Sequence, residues 1–373
     1  MDFGIMFFSS VQPCAGEARY ELLLDAARLA DEWGFTAIWM PERHFHRFGG
    51  LFPNPAVLGA AVAMTTRRLQ IRAGSLVSPL HDSLRIAEDW SVVDNLSGGR
   101  VAVSFGSGWN IEDFVFFPER YARRQAVMYE QIEEVKTLWR GGSLKRRDSN
   151  GREVEVRVFP EPVQRTLPTW VTSSGNERTF VSAGEIGANV LTHLIGQEVD
   201  ELAVKIRRYR EARESHGFAP REGKVTLMLH TFLGNEMEAV RATVRGPFRE
   251  YLRSALSLEQ LALQAGGAIS GGHRVQPHEI PERDLEDLLD LTFERYFRTA
   301  SLLGTPDSCQ RLLWRLDEIG VDEIACLVDF LDDAAAIRES LPLLAELREV
   351  FSAESLERVS AAQVDQFLVD LEA

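Results

Sequence analysis

The amino-acid sequence predicts an α/β protein built as a closed (β/α)8 TIM barrel with insertions. Three observations carry this. Short β-branched or apolar runs alternate with longer amphipathic stretches, the rhythm of a parallel sheet with helices packed outside it. Eight such runs fall within about 350 residues of a 373-residue chain, the number that closes one barrel. Glycine, serine and proline punctuate the joins. A doubly wound sheet shares the rhythm, and periodicity alone leaves that alternative open.

Phe3–Phe8 (FGIMFF) is the first expected strand. Tyr20–Glu32 carries Leu23, Ala26, Ala27 and Ala30 at helical spacing, and Gly34 stands where a helix-ending glycine belongs. Thr36–Met40 is the second strand, Pro55–Thr65 a helix, Leu69–Val77 the third strand and Leu84–Leu96 a helix. The Ser97-Gly98-Gly99 turn then leads into a fourth strand at Val101–Phe105. Tyr121–Trp139 reads as one long helix. Leu144–Phe159 alternates around Asn150-Gly151, the strongest short hairpin signal, and is expected as an insertion, not a barrel strand. Thr169–Thr172, Asn189–Leu194 and Val225–Leu233 continue the strands, separated by helices at Glu177–Ile186 and Val199–His216, and Glu323–Val328 supplies the eighth.

Roughly ninety residues separate the seventh and eighth strands, far more than a βα loop takes, so 236–303 is expected to house an insertion. Its loosest part, Gly266–Pro281, is glycine- and proline-rich and reads either as a lid over the barrel mouth or as a surface excursion. Thr305 is placed as a helix N-cap with Pro306 at the first helical position. The expected organisation is one barrel domain over 1–350 followed by a helical tail, 351–373.

Composition narrows the partners. Apolar residues make up 45% of the chain and charged residues 26%, which excludes disordered and collagen-like classes. No apolar run approaches the roughly 18 residues of a membrane span, and Met1–Ser10 lacks the cationic start of a signal peptide. A formal charge of −15 repels phosphate backbones, so nucleic acid is not expected as a partner. Cys14, Cys309 and Cys326 are odd in number and far apart, which suggests neither a disulfide framework nor a zinc site and fits a reducing cytoplasm. Cys14 is expected as a spectator in the first βα loop.

In a barrel, reactive groups come from the C-terminal ends of the strands. The second strand runs into Pro41-Glu42-Arg43-His44-Phe45-His46, and His44 is the leading acid/base residue because imidazole exchanges protons near neutral pH. A pairing of Arg43 with Glu42 is the plain alternative use of that cluster. Gly74-Ser75 ends the third strand in small residues that let a planar ring approach the backbone. Phe105-Gly106-Ser107-Gly108-Trp109-Asn110 ends the fourth and starts a GxGxxG fingerprint, but Ile111 replaces the last glycine, so no Rossmann site is read there. Thr172-Ser173-Ser174-Gly175-Asn176 precedes a helix and offers hydroxyls and free amides, which serves an anion or an ordinary capping turn. Tyr121 and Arg124 could serve the same anion or face solvent. His193 and His81-Asp82 are weaker strand-end positions, no metal-ligand spacing is present, and neither a hydrolase triad nor a Walker loop occurs.

Trp39–Phe52 (WMPERHFHRFGGLF), Ser91–Arg100, Ser104–Phe114 (SFGSGWNIEDF), Trp170–Asn176 (WVTSSGN) and Asn189–Gly196 together resemble the bacterial luciferase-like, flavin-dependent monooxygenases, most closely those of polyketide and nonribosomal peptide biosynthesis. The resemblance runs from Asp2 to about Phe330. It implies a barrel holding reduced FMN (FMNH2) at its mouth, and O2 activation through a flavin C4a-(hydro)peroxide. It implies catalysis by His44 and flavin contacts at Gly74, Ser75, Gly106 and Ser107. Ser174, with Ser173, Gly175, Asn176, Tyr121 and Arg124, is implied to hold the phosphate; Trp109 and His193, at the ends of the fourth and sixth strands, are the candidate substrate residues. The luciferases' reactive cysteine and phosphate-binding arginine are replaced by Gly106 and Ser107, which argues against light emission. The implied partners are a separate NAD(P)H-dependent flavin reductase, a second copy of the chain, and an acyl or peptidyl carrier protein bearing the substrate. Arg241, Arg245, Arg249 and Arg253 form a basic stripe for carrier docking or a solvated face, with Pro247 expected to break the helix between them. A deazaflavin (F420)-dependent oxidoreductase and a non-catalytic flavin-binding protein share the same expected barrel.

Overall fold

The computed structural model describes residues 1–8, 19–264 and 282–352, and of 255–264 and 282–285 the backbone alone. Cys14, Gly266–Pro281 and residues 353–373 lie outside the described residues. The chain runs β1 (Asp2–Met6), α1 (Glu21–Glu32), β2 (Ala37–Met40), α2 (Pro55–Thr65), β3 (Gln70–Val77), α3 (Ser83–Ser97), β4 (Val101–Gly106) and α4 (Arg124–Trp139). It continues through β5 (Leu144–Arg147), β6 (Glu153–Val156), β7 (Thr169–Thr172), α5 (Glu177–Glu185), β8 (Asn189–His193), α6 (Val199–Ser215) and β9 (Val225–Leu233). Then come α7 (Met237–Gln264), α8 (Glu282–Thr299), β10 (Leu302–Gly304), α9 (Pro306–Glu318), β11 (Glu323–Leu327) and a last helix, α10, over 334–352.

Strands β1, β2, β3, β4, β7, β8, β9 and β11 pair in parallel, and the circle closes where β11 lies between β9 and β1. The doubly wound alternative is thereby excluded. Every residue of β2, β4, β9 and β11 is buried, as strands covered on both faces must be. Leu144–Phe159 is the hairpin read from Asn150-Gly151, with Gly151 at φ +76° in its turn. Among the described residues no helix is long and apolar enough to cross a membrane. Cys309 and Cys326 are buried thiols whose pKa burial pushes up to about 12.

Four details depart from the sequence reading. The Tyr121–Trp139 helix starts only at Arg124, because Pro118–Arg123 winds as a 3-10 turn. Leu302–Gly304 is an additional strand, lying along Thr231–Leu233 where β9 extends beyond β11. Pro247 does not break the helix: α7 runs through it for 28 residues. Nor is the arginine stripe on α7 a free basic face. Arg241 pairs with Glu294, Arg245 with Asp290 at 3.1 Å, Arg249 with Glu286 and with Asp290 at 3.0 Å, and Arg253 with Glu286. Acidic residues at matching intervals on α8 neutralise it, which a reading of α7 alone could not show.

Inside the barrel, Arg72 of β3 meets Glu323 of β11 at 2.8 Å, and Trp39 donates its indole N–H to the same carboxylate at 3.0 Å. The guanidinium is held between the rings of Trp39 and Trp170, at 4.7 and 4.5 Å. Gly4 faces this group, and a Cβ there would stand 2.9 Å from the Ala37 carbonyl oxygen. Such a pair is tolerable in a dry interior only because each charge keeps partners on all sides.

Candidate active site

The C-terminal ends of β2, β3, β4 and β7 are fastened together by polar bonds. Glu42, just past β2, has no exposed side-chain surface; its Oε2 accepts the Val77 N–H of β3 at 2.7 Å. Its Oε1 faces Nε2 of His44 at 2.8 Å and Nε2 of His81 at 2.6 Å. Burial by itself would raise the Glu42 pKa, but the hydrogen bonds and charges of His44 and His81 prevail and hold it below the usual carboxylate range. An ionised carboxylate only accepts, so both histidines present Nε2–H to it. That assignment leaves Nδ1 of His44 as the atom able to take a proton. The alternative use of this cluster, a pairing of Glu42 with Arg43, is not observed: Glu42 turns under the strand ends while Arg43 points into a cluster of rings. His81, read as a weak position, belongs to this centre.

The backbone around His44 is bent to place it. Phe45 is the one non-glycine with positive φ (56°) among the described residues, a conformation costing a bulky side chain roughly 1–3 kcal/mol. Phe116 lies edge-on to the His44 ring at 5.2 Å. Asp113, on the 3-10 turn Ile111–Phe116, accepts from the Asn110 amide at 2.7 Å. Its pKa is pushed up to about 6, first by burial, with His44 and Arg43 acting in the opposite sense. The sequence reading missed Asp113, though its place three residues after Asn110 in the fourth βα loop was the available signal.

The small residues sit as expected. β3 bulges between Gly74 and Leu76, and the Gly74–Ser75 peptide is cis. A Cβ at Gly74 would stand 3.1 Å from Trp39, and one at Gly106 3.3 Å from Ser75 Cβ, so bulk at either position would fill the strand-end floor. Ser75 and Ser104 both hydrogen-bond the Thr172 hydroxyl, at 2.6 and 2.7 Å, tying β3, β4 and β7. Arg124 donates to the Gly108 carbonyl at 3.0 Å and lies over the Tyr121 ring, and the Tyr121 hydroxyl reaches the Trp109 carbonyl at 3.4 Å. Both are therefore brought to the end of β4, beside the half-buried Ser107 and the exposed Trp109. Next to it, at the end of β7, Ser173 is buried and accepts the Gly175 N–H at 3.3 Å, while Ser174 is exposed and Asn176 caps α5 through the Arg178 N–H at 2.9 Å. A cation the sequence reading missed lies there too: Lys205 of α6, bonded to Gln197 at 2.7 Å, stands 3.5 Å from where a Gly175 Cβ would be.

His193 ends β8, its carbonyl accepting from Gln197. Its Nδ1 accepts the Ile195 N–H at 3.1 Å, and burial pushes its pKa down to about 4, so it is neutral near pH 7. Its neighbour His230 is buried among Phe248, Tyr251 and Phe330, with its pKa lowered to about 3. Among the described residues no cluster is arranged to hold a metal ion. A separate cleft of about 400 Å3 beside α4 is walled by charges that already pair with one another, such as Arg146 with Glu134 and Arg123 with Glu130.

A closed parallel barrel with an acid/base pair and small strand ends at its mouth is one architecture among many enzyme families. Here the residues decide further: 1–323 match the luciferase-like monooxygenase family. The chain belongs to that family. This luciferase-like monooxygenase is 25% identical over 374 residues to the 4-hydroxyprotoasukamycin monooxygenase of Streptomyces nodosus subsp. asukaensis, covering 95% of this chain and 94% of that one. It is 25% identical over 228 residues to the oxygenase component of the flavin-dependent trigonelline monooxygenase of Acinetobacter baylyi, 59% of this chain and 61% of that one. The fold superposes with a TM-score of 0.69 on the oxygenating constituent of 3,6-diketocamphane monooxygenase from Pseudomonas putida, solved with FMN, at 19% identity and covering 92% and 96% of the two chains. A luciferase-like monooxygenase was the class the sequence resembled, and the barrel it implied is the one observed.

Proposed function

We propose that the protein is the oxygenase of a two-component FMNH2-dependent monooxygenase that oxygenates a natural-product biosynthetic intermediate with O2. The observation that carries this is the Glu42–His44–His81 centre standing beside strand ends stripped of bulk at Gly74 and Gly106. The donor set fits FMN. The Ser174 hydroxyl, the exposed start of α5 and the guanidinium of Arg124 suit a phosphate, and the absence of side chains at Gly74 and Gly106 suits the close approach of a flat ring to the backbone. Reduced FMN, when bound, supplies the electrons that activate O2. The chain's residues do the rest: His44 takes or returns a proton at Nδ1, Glu42 fixes the tautomer and orientation of its ring, and the rings of Phe45 and Phe116 pack against that imidazole.

The relative named as an oxygenase component supports a separate flavin reductase as partner, and the Streptomyces relative supports a natural-product substrate. Carrier docking through the α7 arginines drops out, because α8 already neutralises them. A second copy of the chain is proposed to cover α2 and α3. Helix α2 (PAVLGAAVAMT) has no polar face, and Val57, Met64, Val92 and Leu96 are exposed along the pair. The cytoplasm is the proposed compartment, since reduced flavin must be delivered there by a reductase. Titration with FMN and FMNH2 followed by O2 uptake tests the reading: the protein should bind FMN, and His44→Ala should slow turnover while leaving that binding intact. Hydride transfer to F420 without oxygen consumption, or flavin binding without any turnover, would replace it.

A further inference from the structure

Arg43 takes no part in the chemistry just described, yet the fold is shaped around it. Its guanidinium lies over the rings of Phe8, Phe48 and Trp109, at 4.9, 5.1 and 5.8 Å. Gly49, at φ +73°, makes way for its stem: a Cβ there would stand 2.8 Å from Arg43 Cγ. Among the described residues no carboxylate comes within ion-pair distance of this guanidinium and no acceptor takes a hydrogen bond from it. Tyr251 and Asp113 act on it through space, and the Asp113 carboxylate is bonded to Asn110. A partly buried guanidinium normally keeps an anion. Aromatic faces hold its plane while leaving the N–H donors at its edge unspent.

A second observation stands beside it. Phe45 and Phe116 are 61% and 50% exposed and gather at His44, in ring contact with each other at 5.5 Å, and Trp109, under the Arg43 guanidinium, is 41% exposed. Large apolar side chains left open around a polar centre mark a ligand surface. An unspent planar fork over Trp109 and open aromatic faces at Phe45 and Phe116 beside His44 describe the two ends of one ligand.

Resting on the placement of chemistry at His44 given above, we propose that Arg43 is the anion-recognition residue of the substrate site and that the substrate class is an apolar carboxylic acid. The carboxylate takes two parallel N–H bonds from the guanidinium, and the hydrocarbon or ring portion lies over Trp109, Phe45 and Phe116 within reach of His44. Specificity then lies in the charge: a neutral analogue of equal size leaves the fork unanswered.

Calorimetric binding of decanoate and of decanamide to the full chain tests this, alongside an FMN titration of each variant. Wild-type protein should prefer decanoate by about tenfold or more, a difference typical of a charge-assisted pair. Arg43→Met should bring the two ligands within about twofold, Arg43→Lys should keep part of the preference, and FMN affinity should be the same in all three. Equal binding of the two ligands by the wild type, failure to bind either, or a preference that survives in Arg43→Met overturns the proposal. Failure of the wild type to bind FMN, with the decanoate preference intact, removes the flavin reading and leaves this one standing.

Discussion

Replacing Glu42 with Gln exchanges a buried anion for a neutral amide of nearly the same shape. The carboxylate accepts from Val77 N–H, His44 and His81 at 2.7, 2.8 and 2.6 Å. An amide offers one oxygen and one NH2 group, so at least one imidazole loses its acceptor and must turn or change tautomer. Two charge-assisted bonds at about 1.5–3 kcal/mol each, partly offset by no longer burying a charge, give a net destabilisation of about 2–4 kcal/mol. The side chain has 0% exposure, so solvent screening does not reduce this. The pH dependence has a definite sign. Glu42 has a lowered pKa in the folded state, so its stabilisation is complete above the ordinary carboxylate range and disappears as pH falls through the lowered value. Urea unfolding at pH 7 should separate wild type from Glu42→Gln by that amount, and the gap should persist at pH 5.5 and narrow below about pH 4.5. Turnover with FMNH2 and O2 should fall about a hundredfold, and adding Glu42→Gln to His44→Ala should cost little more than His44→Ala alone. Wild-type turnover in Glu42→Gln, or single-variant losses that multiply in the double variant, would refute the idea that the carboxylate acts through His44.

Other outcomes follow from the same coordinates. Glu323→Gln leaves Arg72 without its counter-charge inside the barrel and should destabilise by about 3–5 kcal/mol, read by urea unfolding. Asp113 titrates near 6 in the fold, so wild-type turnover should show an ionisation close to pH 6 that Asp113→Asn lacks. The same raised pKa means that Asp113 weakens the fold as pH rises from the ordinary carboxylate range through 6, so Asp113→Asn should gain on wild type at pH 7 relative to pH 4 in urea unfolding. Met64→Glu on the exposed face of α2 should shift sedimentation velocity from dimer to monomer, and a wild type that sediments as a monomer rejects that interface.

The barrel was legible because its strands are buried on both faces and so read as short apolar runs, and because Gly34, Asn150-Gly151 and Thr305-Pro306 mark their turns and caps by residue type. β10 was not, since three residues lying along the upper end of β9 have no periodicity to read. His44, Gly74, Ser75 and Gly106 could be placed at strand ends from order alone, and Arg124 at the start of a helix. The work of Glu42 could not, because besides nearby His44 its partners are His81 and Val77, 39 and 35 residues further along. The neutralised stripe on α7 shows the same blindness: Arg241 and Glu294 are 53 residues apart, and local pattern reports only one side of the pair.

The pairing of β1 with both β2 and β11 bears on how the chain is made. The first barrel strand waits for one neighbour until residues 323–327 have been made, and Arg72 waits as long for Glu323. Ring closure is thus a late, long-range event, slow by its contact order, with an open strand edge exposed in the meantime. A chain shortened ahead of residue 323 would hold seven of the eight barrel strands around an orphaned cation, so the barrel is expected to close only once β11 is present.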